Sequence, residues 1–258
     1  MVSITTVALL ERKPSISRDL FSRYWRDVHG VMAARIPGFD SYTQYHVTPA
    51  SIDSEPFEGI ALVTFVNEDD RKGLATSPVA AHIHRDEVNV FRRALLYNLA
   101  AGADTVLIVG DQSTGAAGFV VVPIGHDTRS VAERLCGSDP EYLCRYELES
   151  GDPGTWNATD VDEGGASRRF AAVFHAVWRG QAAADAALSA LPSVVARYRL
   201  DEVHVLVEDA RATPLGLRGL DALRTIREAG AENQLDPVVE NAIYGRFDQE
   251  RSATSHAD

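Results

Sequence analysis

The stretch FSRYWRDVHGVMAARIPG, residues 21–38, runs directly into FDSYTQYHV, residues 39–47, and the reading of these two segments decides the fold. In the first, Phe21, Tyr24/Trp25, Val28, Met32 and Ile36 recur at three- and four-residue steps, the apolar face of an amphipathic helix. Ser15, Ser17 and Asp19 stand ahead of it as acceptors for the free N–H groups of a first turn, and Pro37-Gly38 ends it. The second segment alternates aromatic and polar residues as a strand does. Upstream, Ile4/Thr6/Ala8/Leu10 alternate with Thr5/Val7/Leu9, both sets largely apolar, which describes a strand over residues 2–11 buried on two faces.

Working outward, a polar loop with Pro49, Asp53, Glu55 and Pro56 leads to a third strand, residues 59–66. A capped helical turn at residues 67–72 and a helix at residues 77–91 with Pro78 in its first position follow, and residues 105–109 read as a fourth strand. The order is βαββαβ, which with right-handed crossovers gives a four-stranded antiparallel sheet carrying both helices on one face. Gly110 to Gly115 reads as a linker. Beyond it the same order returns without sequence identity: strand 117–123, helix 127–136, strand 141–148, a Gly-rich loop, strand 169–178, helix 181–191 and strand 201–208. A lone sheet of this kind leaves one apolar face bare, and the second half can cover it within the same chain. A further helix over residues 215–234 and a strand over residues 238–247 extend the second unit, and residues 248–258 read as a flexible polar tail.

The run Arg12-Lys13-Pro14 with Ile16-Ser17, then Phe21, Tyr24-Trp25, His29-Gly30, Ile36-Pro37-Gly38 and Tyr42, Gln44-Tyr45-His46-Val47, resembles the EthD family of dimeric α+β barrel proteins. The resemblance is specific over residues 5–47 and extends more faintly to about residue 110. It implies a ferredoxin-like unit whose sheet pairs with a second sheet to enclose a cavity, and relatives that include cofactor-free polyketide-tailoring and degradative enzymes. The expected fold class is therefore α+β: two tandem ferredoxin-like units, residues 1–110 and 116–247, forming an intrachain barrel.

Composition narrows the function. Hydrophobic residues make up 45% and charged residues 24% of the 258, enough apolar content for a packed core. A net charge of −12 excludes a nucleic-acid surface, which needs a basic field. Cys136 and Cys144 read as two thiols, and no window has the length and apolarity of a membrane span. Without a basic leader at Met1, the expectation is a soluble cytoplasmic protein, with homodimerisation open.

Among candidate site residues, His29 has a side chain suited to acid–base work near neutrality, and the resemblance singles it out because the Trp25-x-x-x-His29 spacing is the family's most recognisable feature. Its bland alternative is a helix-capping residue. Tyr42, Gln44 and His46 share one face of their strand and are too polar for packed helices, which points them into a cavity between the sheets; the alternative is an edge strand in solvent. Tyr24 and Trp25, with Gln44, His82 and His175, are candidate substrate contacts. His82 with Asp86 also fits a surface pair four residues apart, and His175, inside an apolar strand, also fits a core histidine. No zinc, serine-nucleophile or phosphate-loop signature occurs, so neither metal nor organic cofactor is expected. The reading is an enzyme that binds a small aromatic or polyketide-like molecule in an apolar cavity and moves protons with His29, Tyr42 and His46. Cyclisation, decarboxylation, dehydration, isomerisation and direct oxygenation all remain open. Its rivals are a non-catalytic binder of the same fold and a haem protein, the latter without the Gly-x-x-Asp-Gly run of the tandem haem peroxidases.

Overall fold

The computed structural model describes residues 4–51, 54–77, 79–112, 114–151, 153–154, 161–162, 170–218 and 222–235. Strand β1 (Ile4–Arg12) leads to helix α1 (Arg18–Tyr24), whose first turn is capped by the Ser17 hydroxyl accepting the Leu20 N–H at 3.1 Å. The helix then widens into one π-helical turn, Trp25–His29, and continues as α2 (Gly30–Ala33). Strands β2 (Phe39–Pro49) and β3 (Gly59–Phe65), helices α3 (Glu68–Gly73) and α4 (Ala80–Val90), and strand β4 (Phe91–Asn98) complete the first unit. Its strands lie in the order β4-β1-β3-β2, all antiparallel.

The second half starts with β5 (Asp104–Ile108) and β6 (Ala116–Pro123), then α5 (Thr128–Cys136), β7 (Tyr142–Glu147), the two-residue β8 (Pro153–Gly154) and β9 (Phe170–Trp178). Helix α6 (Gln181–Ser189), β10 (Ala196–Glu208), β11 (Arg211–Ala212), α7 (Pro214–Arg218) and α8 (Ala222–Ala229) follow. Here the order is β7-β9-β6-β10, the same ferredoxin-like arrangement. The two sets join edge to edge where β10 pairs with β2, and the result is one curled antiparallel sheet.

Two expectations are corrected. The fourth strand of the first unit is residues 91–98, which begin at the last residue of the expected helix and were otherwise assigned to no element, because Phe91 to Asn98 form a ladder with β1. Arg93 is tolerated inside it because Glu11 and Glu55 accept its guanidinium N–H groups at 3.0 and 2.7 Å. Residues 104–108, read as that fourth strand, instead pair with β7 of the second half. Reciprocally, β8 leaves the second half to pair with β4. One seam between the halves is thus a long ladder and the other is laced by two short exchanged strands; among the described residues β4 and β7 share no ladder. Of the expected C-terminal helix, α7 and α8 are helical, while residues 219–221 between them, 238–247 and 248–258 lie outside the described residues.

Three apolar layers hold this together. Inside the curl, Val7, Leu9, Val47 and Ile60 of the first sheet and Phe119, Val121 and Tyr198 of the second share one buried apolar cluster, on the side where the cavity was expected. Outside it, α5 and α6 pack on the second sheet through Val131, Leu135, Phe174 and Trp178. The third layer lies between α1, α2, α4 and the first sheet, where Phe21, Trp25, Met32, Ile83 and Phe91 are buried, and Ala222 and Ile226 of α8 extend it.

Candidate active site

The third layer encloses an apolar space. Beneath the π-helical turn, a cavity of about 70 Å³ is walled by Ala8, Ala61, Val63 and Ala94 of the sheet and by Ile83 and Phe91. Small residues on the sheet side make the room. Polar groups are few: His29, Glu87, Thr6 and the Tyr42 hydroxyl. An apolar chamber with a few convergent polar groups is the ordinary make-up of a small-molecule site.

Local sequence explains how His29 arrives there. Residues 25–29 take the i→i+5 turn, so the Gly30 N–H reaches the Trp25 carbonyl, which also accepts the Gln44 side-chain N–H at 2.9 Å. Such single π turns widen a helix locally and favour functional positions. Gly30 is needed because a Cβ there would lie 2.4 Å from Leu206 and 2.6 Å from Gln44; Gly59 likewise leaves room for the Trp25 indole, 2.7 Å from where its Cβ would be. Gly30→Ala is expected to destabilise the protein by about 1–3 kcal/mol through overpacking and to displace His29. Urea midpoints of the variant and the parent protein measure the first effect.

His29 is buried, and its Nδ1 lies 2.9 Å from Oδ2 of Asp86, which is itself wholly buried on α4. The other carboxylate oxygen accepts the Tyr24 hydroxyl, which also accepts an N–H from Asn89 at 3.3 Å. A buried carboxylate is tolerable only when its lone pairs are met, and these two donors meet them. The pairing places the proton of a neutral His29 imidazole on Nδ1 and leaves Nε2 as the nitrogen available to a ligand. Burial, with the Asp86 charge second, holds the Tyr24 hydroxyl well above the ordinary phenol range, so it stays a donor. Tyr42 is raised too, mainly by burial, and accepts the Gln44 amide N–H at 2.8 Å.

The candidates from sequence divide as follows. His29, Trp25 and Tyr42 stand on the cavity wall, and Tyr24 acts behind it on Asp86. Gln44 and His46 do share the face of Tyr42, but that face is covered by helix and not directed between the sheets; the Trp25 carbonyl and the Ser22 hydroxyl supply the partners that let polar side chains sit under helices. His46 packs against the Trp25 ring at 4.6 Å, away from the cavity. His82 pairs with Arg85 at 2.6 Å and not with Asp86, which the fold turns inward. His175 lies between the sheets, stacked on Phe119 with ring centroids 4.5 Å apart, and burial lowers it to about 4. Sequence reading missed Asp86 and Glu87 as groups of this site. Their signal is the stripe Ala80, Ile83, Glu87, Val90, in which an acid occupies an apolar position.

No helix among the described residues is long and apolar enough to cross a membrane. Compared with known proteins, no curated protein matches the chain. Similar solved structures include an anthrone oxidase-like protein at 9% identity, with 79% of this chain and 93% of that chain covered and a TM-score of 0.49. Monooxygenase candidates from Lactobacillus acidophilus NCFM (12% identity, 83% and 99% covered, TM-score 0.40) and Fusobacterium nucleatum subsp. nucleatum (8%, 82% and 96%, 0.42) are also similar. Residues 13–93 match the family model of the EthD domain. That match spans less than half of the chain and takes in the segment that carries Trp25, His29, Tyr42 and Asp86.

Proposed function

We propose that the protein is a cofactor-independent enzyme that removes a proton from a small aromatic substrate bearing a phenol or an enolisable ketone. The observation that carries this reading is the chain Tyr24–Asp86–His29 ending at the wall of an otherwise apolar cavity. With the ring bound flat against Phe91 and Trp25, His29 Nε2 takes the proton, and Asp86 stabilises the imidazolium through Nδ1–H. The Tyr42 hydroxyl, already accepting from Gln44, donates to the oxygen on which negative charge develops. Glu87, the acid on the wall, would return a proton at a different atom. The same enolate leads to isomerisation, loss of water or carbon dioxide, ring closure, or reaction with dioxygen, according to the substrate.

Proton removal is directly measurable. Incubated with the protein in D₂O, anthrone-like aromatic ketones are expected to exchange their acidic C–H for deuterium faster than in buffer, with saturation kinetics followed by NMR. Saturable quenching of tryptophan emission without any exchange would establish the non-catalytic binder instead.

A further inference from the structure

A second cluster of ionisable side chains lies outside the cavity, at the seam where the halves join. In the β2–β10 ladder His46 stands opposite Glu202, and Gln44 opposite His204. Glu202 and His204 are two apart on one strand and so share a face, which brings the three side chains His46, Glu202 and His204 together with one donor atom of each within 4.8 Å of the others. The His46 and His204 rings meet edge to face at 4.8 Å, and His204 Nε2 is 3.0 Å from Glu202 Oε2.

We infer that this triad is a binding site for a divalent ion of the zinc class, which would clip the first half of the chain to the second. Two imidazoles and one carboxylate are a donor set suited to such ions, with an open position left for water. Tetrahedral ligand atoms about 2.1 Å from zinc lie about 3.4 Å apart, so closure asks only for side-chain rotation, and Glu202 is half-exposed and free to swing. Ser22 Oγ, 2.8 Å from His46 Nδ1, is the outer-sphere contact that metal-binding histidines use when it accepts the Nδ1–H, and the ion would displace the long 3.5 Å contact of Nε2 with Gln44 Oε1. Charge is favourable as well. Arg26 is held by both oxygens of Asp27 at 2.7 Å and Arg18 pairs with Asp201, so each nearby cation has a carboxylate of its own besides the weaker attraction of Arg26 to Glu202. Both imidazoles are lowered, chiefly by burial, and are neutral as a ligand must be.

The test uses the full chain after chelator treatment, with Co²⁺ as the optical probe and Zn²⁺ as the competitor. Expected are one equivalent bound per chain, the visible absorption of low-coordinate Co²⁺, its bleaching by Zn²⁺, and a rise in the thermal midpoint, because the ion binds the folded state. Ser22→Ala is expected to weaken binding about 10-fold. Glu202→Gln alone, at a half-exposed position that does not threaten folding, and Glu202→Gln with His204→Asn are expected to lose the stoichiometric site. No stoichiometric binding by the parent protein, or equal binding by both variants, would overturn the proposal.

Discussion

His29→Asn is expected to lower turnover by about 10²-fold or more while leaving the thermal midpoint nearly unchanged. Asparagine can still donate to the Asp86 carboxylate, so that buried charge keeps both of its partners, and the edge contact with Phe91, 5.2 Å between ring centroids in the parent protein, is a minor loss. What disappears is the only function that distinguishes the two side chains there, a nitrogen that can accept a proton. Asp86→Asn should show the same loss in kcat with little change in KM, since Asp86 stabilises the imidazolium and does not line the cavity. A His29→Asn protein that unfolds, yet whose folded fraction turns over normally, would make His29 a structural residue and remove it from the mechanism.

Acid should destabilise the protein steeply, and well before its carboxylates titrate. Burial lowers His46 to about 3, with His204 and then Arg26 and Arg18 adding to the effect, and burial alone lowers His175 to about 4. In the unfolded chain both return to about 6.5. Between those values the unfolded state binds more protons, so the contribution is fully present above about pH 6.5 and is lost as pH falls toward the native values. At about pH 5 each histidine costs roughly 2 kcal/mol relative to neutrality, a total of about 4 kcal/mol against a typical domain stability of about 5–15 kcal/mol. Urea unfolding in chelator-treated buffer at pH 7 and 5 measures this, and His175→Phe, which removes one titrating ring from the interior, should halve the difference. Equal midpoints at the two pH values would show that neither ring is held neutral.

Much of this architecture was legible in residues 1–47. The capped helix, its stop at Pro37-Gly38 and the two-faced strand β1 each follow from a local pattern, and the returning strand order after Gly115 follows from hydrophobic periodicity. What was not legible depends on partners distant in sequence. Arg92-Arg93 gives no strand signal, and Glu11, Glu55 and the β1 ladder make this segment a strand. Asp86 looked like a surface acid because its two donors, Tyr24 and His29, lie about sixty residues earlier. The side of the sheet that Tyr42, Gln44 and His46 face was inverted for a related reason. Polarity alone places Tyr42, Gln44 and His46 away from helices, but the π turn exposes a carbonyl, and Ser22 a hydroxyl, that satisfy them under one.

Joining both halves in one chain frees them from being alike. A barrel assembled from two identical subunits repeats every site by symmetry, and a substitution that improves one copy is imposed on the other. Here the layer under α5 and α6 is filled by Phe174, Trp178 and Leu188 where the first half keeps its alanine-lined chamber. The second half also supports the first, its β10 packing behind Gly30 through Leu206. Ligand titrations should accordingly saturate at one equivalent per chain, and substitutions under α5 and α6 should move stability without moving affinity.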